Sequence, residues 1–152
     1  MNWKLELVIV PVSDVDRAKT FYIDKAGFNL DVDHRAGDTF RVVQLTPKGS
    51  ACSISIGTGI TDAAPGSVRG LHLVVSDIEA ANAELVERGV DVGEIHHYES
   101  GQRRPGPDPQ LSGQRRPGPD PQREDYGSFL SFSDPDGNSW VVQEVRGSKL
   151  QG

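Results

Sequence analysis

Apolar positions along the chain follow two alternating rhythms. Short runs with every second residue apolar alternate with stretches where apolar residues recur at three- and four-residue spacing. The first rhythm marks half-buried strands and the second marks amphipathic helices. One helical stretch carries Val15, Ala18, Phe21 and Tyr22 and stops at Gly27; the other carries Ile78, Ala81 and Leu85 and stops at Gly89. Glycine there suits a left-handed helix cap. Ser13 with Asp16, and Ser76 with Glu79, have capping-box spacing, so the pattern predicts helices over 14–26 and 77–88. Strand-like runs follow each helix: 30–33, 40–45 and 52–56 after the first, then 90–97, 129–132 and 140–145 after the second. Asp134-Pro135-Asp136-Gly137-Asn138 reads as the final hairpin turn.

The entries to the two helices resemble each other: Val10-Pro11-Val12-Ser13-Asp14-Val15 recurs as Val74-Val75-Ser76-Asp77-Ile78. Each half therefore reads strand, helix, strand, strand, strand. The expected fold is α+β, with one βαβββ module over 1–57, a linker over 58–68 and a second module over 69–147. Two copies of one unit imply pseudo-two-fold packing of curved mixed sheets.

A second repeat has another character. Residues 100–110 recur letter for letter as 112–122, with Leu111 between them. Such identity marks a local tandem duplication rather than a pair of folded repeats. Its proline and glycine content predicts a mobile loop over 99–125 that buries little and joins no ladder. The segment carries Arg103, Arg104, Arg115, Arg116 and Arg123, either as a solvated excursion or as a basic flap over an anionic ligand.

Charge narrows the function. The 22 acidic and 16 basic residues give a net charge of -6, which argues against a nucleic-acid partner. No apolar run approaches the ~20 residues of a membrane span. The opening MNWKLELVIVPV is too short and interrupted for a signal peptide, and Cys52 is the only cysteine, so a cytoplasmic location is expected.

Three segments, PVSDVDRAKTFYIDKAGF, GLHLVVSDIEAANAELVERGV and FSDPDGNSWVVQEV, resemble the vicinal oxygen chelate superfamily. That superfamily includes glyoxalase I, extradiol dioxygenases and bleomycin-binding proteins. The resemblance covers nearly the whole chain outside the duplication. It implies paired βαβββ modules forming a cup, a homodimer and, in the family's enzymes, a divalent metal held by His, Glu or Gln from the first and last strands of each module. Carried over position by position, those ligand sites fall at Leu7, Ser53, Gly70 and Val141, none of which offers an imidazole or a carboxylate. Two residues further along the same strand faces stand Ile9, Ser55, His72 and Gln143.

The expected ligand pocket is therefore Leu7, Ser53, Ser55, His72, Val141 and Gln143, with no metal cofactor. His72 and Glu144 are the fallback donors should a divalent metal bind. His96 and His97 are expected at a strand end in solvent contact, and His34 in an exposed polar turn. Cys52 is expected to be a buried inert thiol, and Trp140 and Phe132 to be core. Three function classes follow. The first is a binder of a small, partly apolar molecule in a metal-free cup. The second is a metal-dependent or His-assisted enzyme, and the third a protein-interaction role through a dimer face or the loop.

Overall fold

A computed structural model describes residues 1–99 and 113–147. The chain forms two compact units: Met1–Arg69 with Ser133–Ser139, and Gly70–Phe132 with the residues from Trp140 onward.

The first unit contains β1 (Leu7–Ile9), α1 (Val15–Thr20), β2 (Asn29–Ala36), β3 (Phe40–Thr46) and β4 (Ser53–Thr58). Its sheet runs β1-β4-β3-β2, with β1 parallel to β4 and the other pairs antiparallel. One difference from expectation lies at the start of α1. Asp14, not Ser13, is the cap, its carboxylate accepting from the Arg17 amide. A carboxylate is the stronger acceptor for the orphan amides of a first turn. Ser13 is occupied elsewhere: its hydroxyl and its amide both donate to Asp136. After Thr20 the helix widens into a π-helical stretch, Phe21–Lys25, with the Ala26 amide reaching back to Phe21 O. The wider turn lets the adjacent rings of Phe21 and Tyr22 both enter the core, edge to face with centroids 5.2 Å apart. Gly27, at φ +79°, then closes the helix as expected.

Val43, Leu45, Ile54 and Ile56 point to the helix side of this sheet and are buried with Ala18 and Tyr22. Each such side chain contributes roughly 1.5–3 kcal/mol by leaving water. The Ser133–Ser139 turn is joined to the unit by a buried polar centre. Asp134 accepts from Tyr22 Oη at 2.7 Å, from Asn138 Nδ2 at 2.8 Å and from the amides of Asp136 and Asn138. Asn138 Nδ2 also donates to Pro11 O at 2.8 Å.

The second unit contains β5 (Leu71–Val75), α2 (Ile78–Glu87), β6 (His96–Glu99), β7 (Gln114–Pro117), β8 (Phe129–Ser133) and β9 (Ser139–Glu144). The strand order is β5-β9-β8-β6-β7, with β5 parallel to β9. Asp77 caps α2 by accepting from the Glu79 and Ala80 amides, so here too the aspartate replaces the expected serine. The run 90–97 shortens to a strand that begins only at His96. Asp91 and Gly93 break the alternation before it, and that stretch is held by bonds from the Gly93 amide to Ser131 O and from the Gly118 amide to Ile95 O.

The largest departure concerns the duplication. The second copy is not a loop without a ladder: Gln114–Pro117 pairs antiparallel with His96–Glu99. Proline is tolerated because it stands last in an edge strand. Arg116 pairs with Glu99 and Arg123 with Glu79 and Glu144, so neither is a free cation of a basic flap. The first copy, with Arg103, Arg104 and Leu111, lies outside the described residues.

Candidate functional site

Alternation assigns each strand residue to a helix side or an open side. In the first unit Leu7, Ile9, Ser53, Ser55, Val42 and Gln44 share the open side, because Leu7 pairs with Ser53, Ile9 with Ser55 and Gln44 with Ser55. A polar chain crosses this face. Gln44 Nε2 lies 3.3 Å from Ser53 Oγ, Ser53 Oγ lies 2.6 Å from Thr46 Oγ1, and Thr46 donates to the Asp31 carboxylate. With Thr46 giving its proton to Asp31, Ser53 donates to Thr46 and accepts from Gln44. Ser53 is thereby committed. Ser55 is not: its Oγ is buried and, among the described residues, is the one buried side-chain polar atom without a hydrogen-bond partner. Ile9, Leu30 and Val32 are large apolar residues exposed in this unit.

In the second unit His72 pairs with Val141 and Val74 with Gln143, which places all four on one face. Trp140, Val142 and Glu144 take the opposite face, where Trp140 stacks on Phe132 as core. His72 is exposed, and its Nδ1 lies 2.5 Å from Gly70 O. A carbonyl only accepts, so Nδ1 carries the proton and Nε2 is left as an acceptor. Gln143 is buried on the same face.

His96 and His97 are both buried, against the expectation of solvent contact, because β7 covers the strand that carries them. His96 stacks on Phe129 at 5.6 Å and His97 Nδ1 donates to Gly118 O. Burial pushes the His96 imidazole below its ordinary 6.5, so it is neutral at pH 7. His34 is exposed, in β2 rather than in a turn, and Cys52 is half-buried just before β4.

The fallback metal pair does not come together. His72 and Glu144 stand on opposite faces, and Glu144 is already bonded to Arg123 and to the Ile78 amide. Arg123 beside it, together with the Ile78 amide, holds its carboxyl below the ordinary value despite burial. Among the described residues no group of three His, Cys, Asp or Glu side chains is placed to hold a metal ion. One imidazole, one amide and two hydroxyls on separate sheets do not make a donor set for a hard divalent cation. The residues at the family's ligand positions do not fit the metal.

The sequence reading missed a second feature. A cavity of about 330 Å³ lies beside the start of α1, lined by Ser13, Asp14, Asp16, Arg35, Asp38 and Arg41 among others. It is strongly charged and does not include the expected pocket residues. Arg41 grips Asp33 with two nitrogens, at 3.1 and 2.9 Å, and Asp16 with a third at 2.8 Å. Those bonds, with one from Lys19, hold the Asp33 carboxyl well below the usual carboxylate range. Arg41 and Asp33 face each other only once β2 and β3 are paired, and no sequence motif announces that.

Two sheets, each with a first strand parallel to a last strand and a helix between, define an α+β protein of two modules, βαβββ in the first unit and, with the added edge strand β7, βαββββ in the second. The Glyoxalase superfamily protein model matches residues 1–94, and the chain belongs to that superfamily. It is 32% identical to the antibiotic binding protein TnmS3 from Streptomyces sp. CB03234, over 94% of this chain and 96% of that one, with a TM-score of 0.65. A glyoxalase/bleomycin resistance protein from the same organism is 33% identical over 93% of this chain and 100% of that one, with a TM-score of 0.62. A member of the glyoxalase/bleomycin resistance protein/dioxygenase superfamily from Sphaerobacter thermophilus DSM 20745 is 25% identical over 95% and 98%, with a TM-score of 0.66. No curated protein matches the sequence.

Proposed function

We propose that this chain binds a small, partly apolar molecule, of the kind an antibiotic represents, without a metal ion. The observation that carries this reading is Ser55 Oγ, buried without a partner on the sheet face turned away from α1. An unpaired buried hydroxyl costs on the order of 1–3 kcal/mol, which a ligand hydrogen bond would relieve. The likeness to an antibiotic binding protein supports the same reading. In the second unit the Nε2 acceptor of His72 and the amide of Gln143 are the corresponding polar groups. Leu7 offers apolar surface on the face of the first unit, and Val141 does so on the face of the second.

Binding of bleomycin and a panel of other antibiotics, followed by calorimetry, tests this. A compound bound on the first unit's face should lose about 1–2 kcal/mol of affinity, roughly 5- to 30-fold, in Ser55→Ala, and one bound on the second unit's face should lose as much in His72→Ala. Protein purified without chelator should carry no stoichiometric Zn, Ni, Fe or Mn by elemental analysis. About one metal per chain, lost on His72→Ala, would replace the binder by the enzyme. The tautomer of His72 favours a second reading, in which Nε2 acts as a base without metal; turnover of a bound compound, abolished in His72→Ala, would establish it.

The exposed Ile9, Leu30 and Val32 support a homodimer in which a second copy covers apolar surface. Light scattering at micromolar concentration should give twice the chain mass, and a monomeric mass would refute the dimer.

A further inference from the structure

We infer that one residue, Arg123, decides which of the two identical eleven-residue copies forms the edge strand β7. Every contact the second copy makes within its own length comes from residues the first copy also has. Gln114 stands opposite Glu99, Arg116 pairs with Glu99, the Gly118 amide donates to Ile95 O and the Asp120 amide donates to Ser128 Oγ. The matching residues of the first copy are Gln102, Arg104, Gly106 and Asp108. That copy follows Glu99 after Ser100-Gly101 alone, and a two-residue loop ending in glycine is a favoured hairpin connection. Whichever copy pairs with β6, the chain carries the same twelve-residue excess, so loop closure separates the two arrangements only weakly.

The copies differ first at the twelfth residue, which is Leu111 after one and Arg123 after the other. Arg123 Nε and Nη2 lie 2.9 and 2.7 Å from the two oxygens of Glu144, and Nη1 lies 2.8 Å from Glu79. Glu144 is fully buried, and a buried carboxylate deprived of its guanidinium partner is strongly unfavourable. Leucine at that place would leave Glu144 with only the more distant Arg146, 3.9 Å away, and the Ile78 amide. It would also have to adopt the same left-handed backbone, φ +50°, with no ion pair to hold it. The guanidinium thus works as a register lock on an otherwise degenerate pairing. This inference is independent of the ligand-binding proposal.

The test uses the full chain. Leu111→Arg makes the copies equal through all twelve positions, so the amides of His97, Tyr98, Glu99 and Ile78 should each give two NMR signals in slow exchange. Their populations should agree within about threefold, the range loop closure allows. The natural chain should give one dominant set. Deletion supplies a second readout. Removing 100–111 should leave melting within a few degrees of the natural chain. Removing 112–123 should lower it by about 6 °C or more, the scale set by a buried carboxylate that loses its bidentate guanidinium partner in a domain of this size. Adding Leu111→Arg to that second deletion should restore it. A single signal set in full-length Leu111→Arg would overturn the inference, as would two deletions melting within about 1 °C of each other.

Discussion

Replacing Asp134 by alanine will destabilise the protein by roughly 3–5 kcal/mol, lowering the melting temperature by about 10 °C. The Asp134 carboxylate is the shared acceptor for Tyr22 Oη, for the Asn138 side chain and for two backbone amides. Tyr22 and Asn138 are wholly buried, so truncation strands several donors away from water at once. Phenylalanine at position 22 should be milder, because it removes donor and hydrogen bond together and keeps the ring. Urea denaturation of both variants checks this. A loss below about 1 kcal/mol for Asp134→Ala would mean the network is redundant.

Glu144→Gln will cost roughly 2–3 kcal/mol at pH 7, and the cost will shrink in acid. Glutamine keeps the volume and one acceptor oxygen but removes the charge that Arg123 faces. The sign follows from the carboxyl being held below its ordinary 4.5. A depressed carboxyl contributes stability above the unfolded value, and that contribution disappears as pH falls through the folded one. The difference between the natural chain and Glu144→Gln should therefore be full at pH 6–7 and vanish progressively below pH 4.5. Asp33, also depressed, adds to acid loss in both proteins below its ordinary 3.8. His96 acts in the same direction at higher pH, since its depressed imidazole favours the folded state above 6.5 and resists charging below it. Stability curves at pH 7, 5 and 3 distinguish these contributions; a constant difference between the two proteins across that range would show that the Glu144 charge is not coupled to folding.

Periodicity alone placed both helices and most strands, because the buried face of each element is written in adjacent letters. Ile54 and Ile56 against Ser53 and Ser55 show how directly a two-residue period separates core from open face. The helix caps were off by one position because Ser and Asp stand side by side; at the first helix Asp136, far along the chain, takes Ser13 away from the cap. The second duplicated copy was misread for a related reason. Proline and glycine describe what a segment cannot do by itself, whereas β7 exists through a neighbour, β6, and an anchor, Glu144. Ser55, His72 and Gln143 were legible as open-face residues. The links from Ser53 through Thr46 to Asp31 were not, since a β-bulge between Leu30 and Val32 shifts the register there.

The turn Ser133–Ser139 bears on how the polypeptide reaches its native state during synthesis. Tyr22 awaits a partner 112 residues downstream, and the Pro11 carbonyl awaits one 127 residues downstream. A ribosome that has released residues 1–69 has exposed all the strands of the first unit but not the Asp134 carboxylate that its buried Tyr22 donates to. The nascent unit therefore waits, without the Asp134 carboxylate that accepts from Tyr22, until residue 134 has emerged. Contacts of such separation slow folding, so refolding should be late and cooperative rather than stepwise by halves. A fragment ending before Ser133 should accordingly be a poor folder even though it carries four of the unit's strands and its helix.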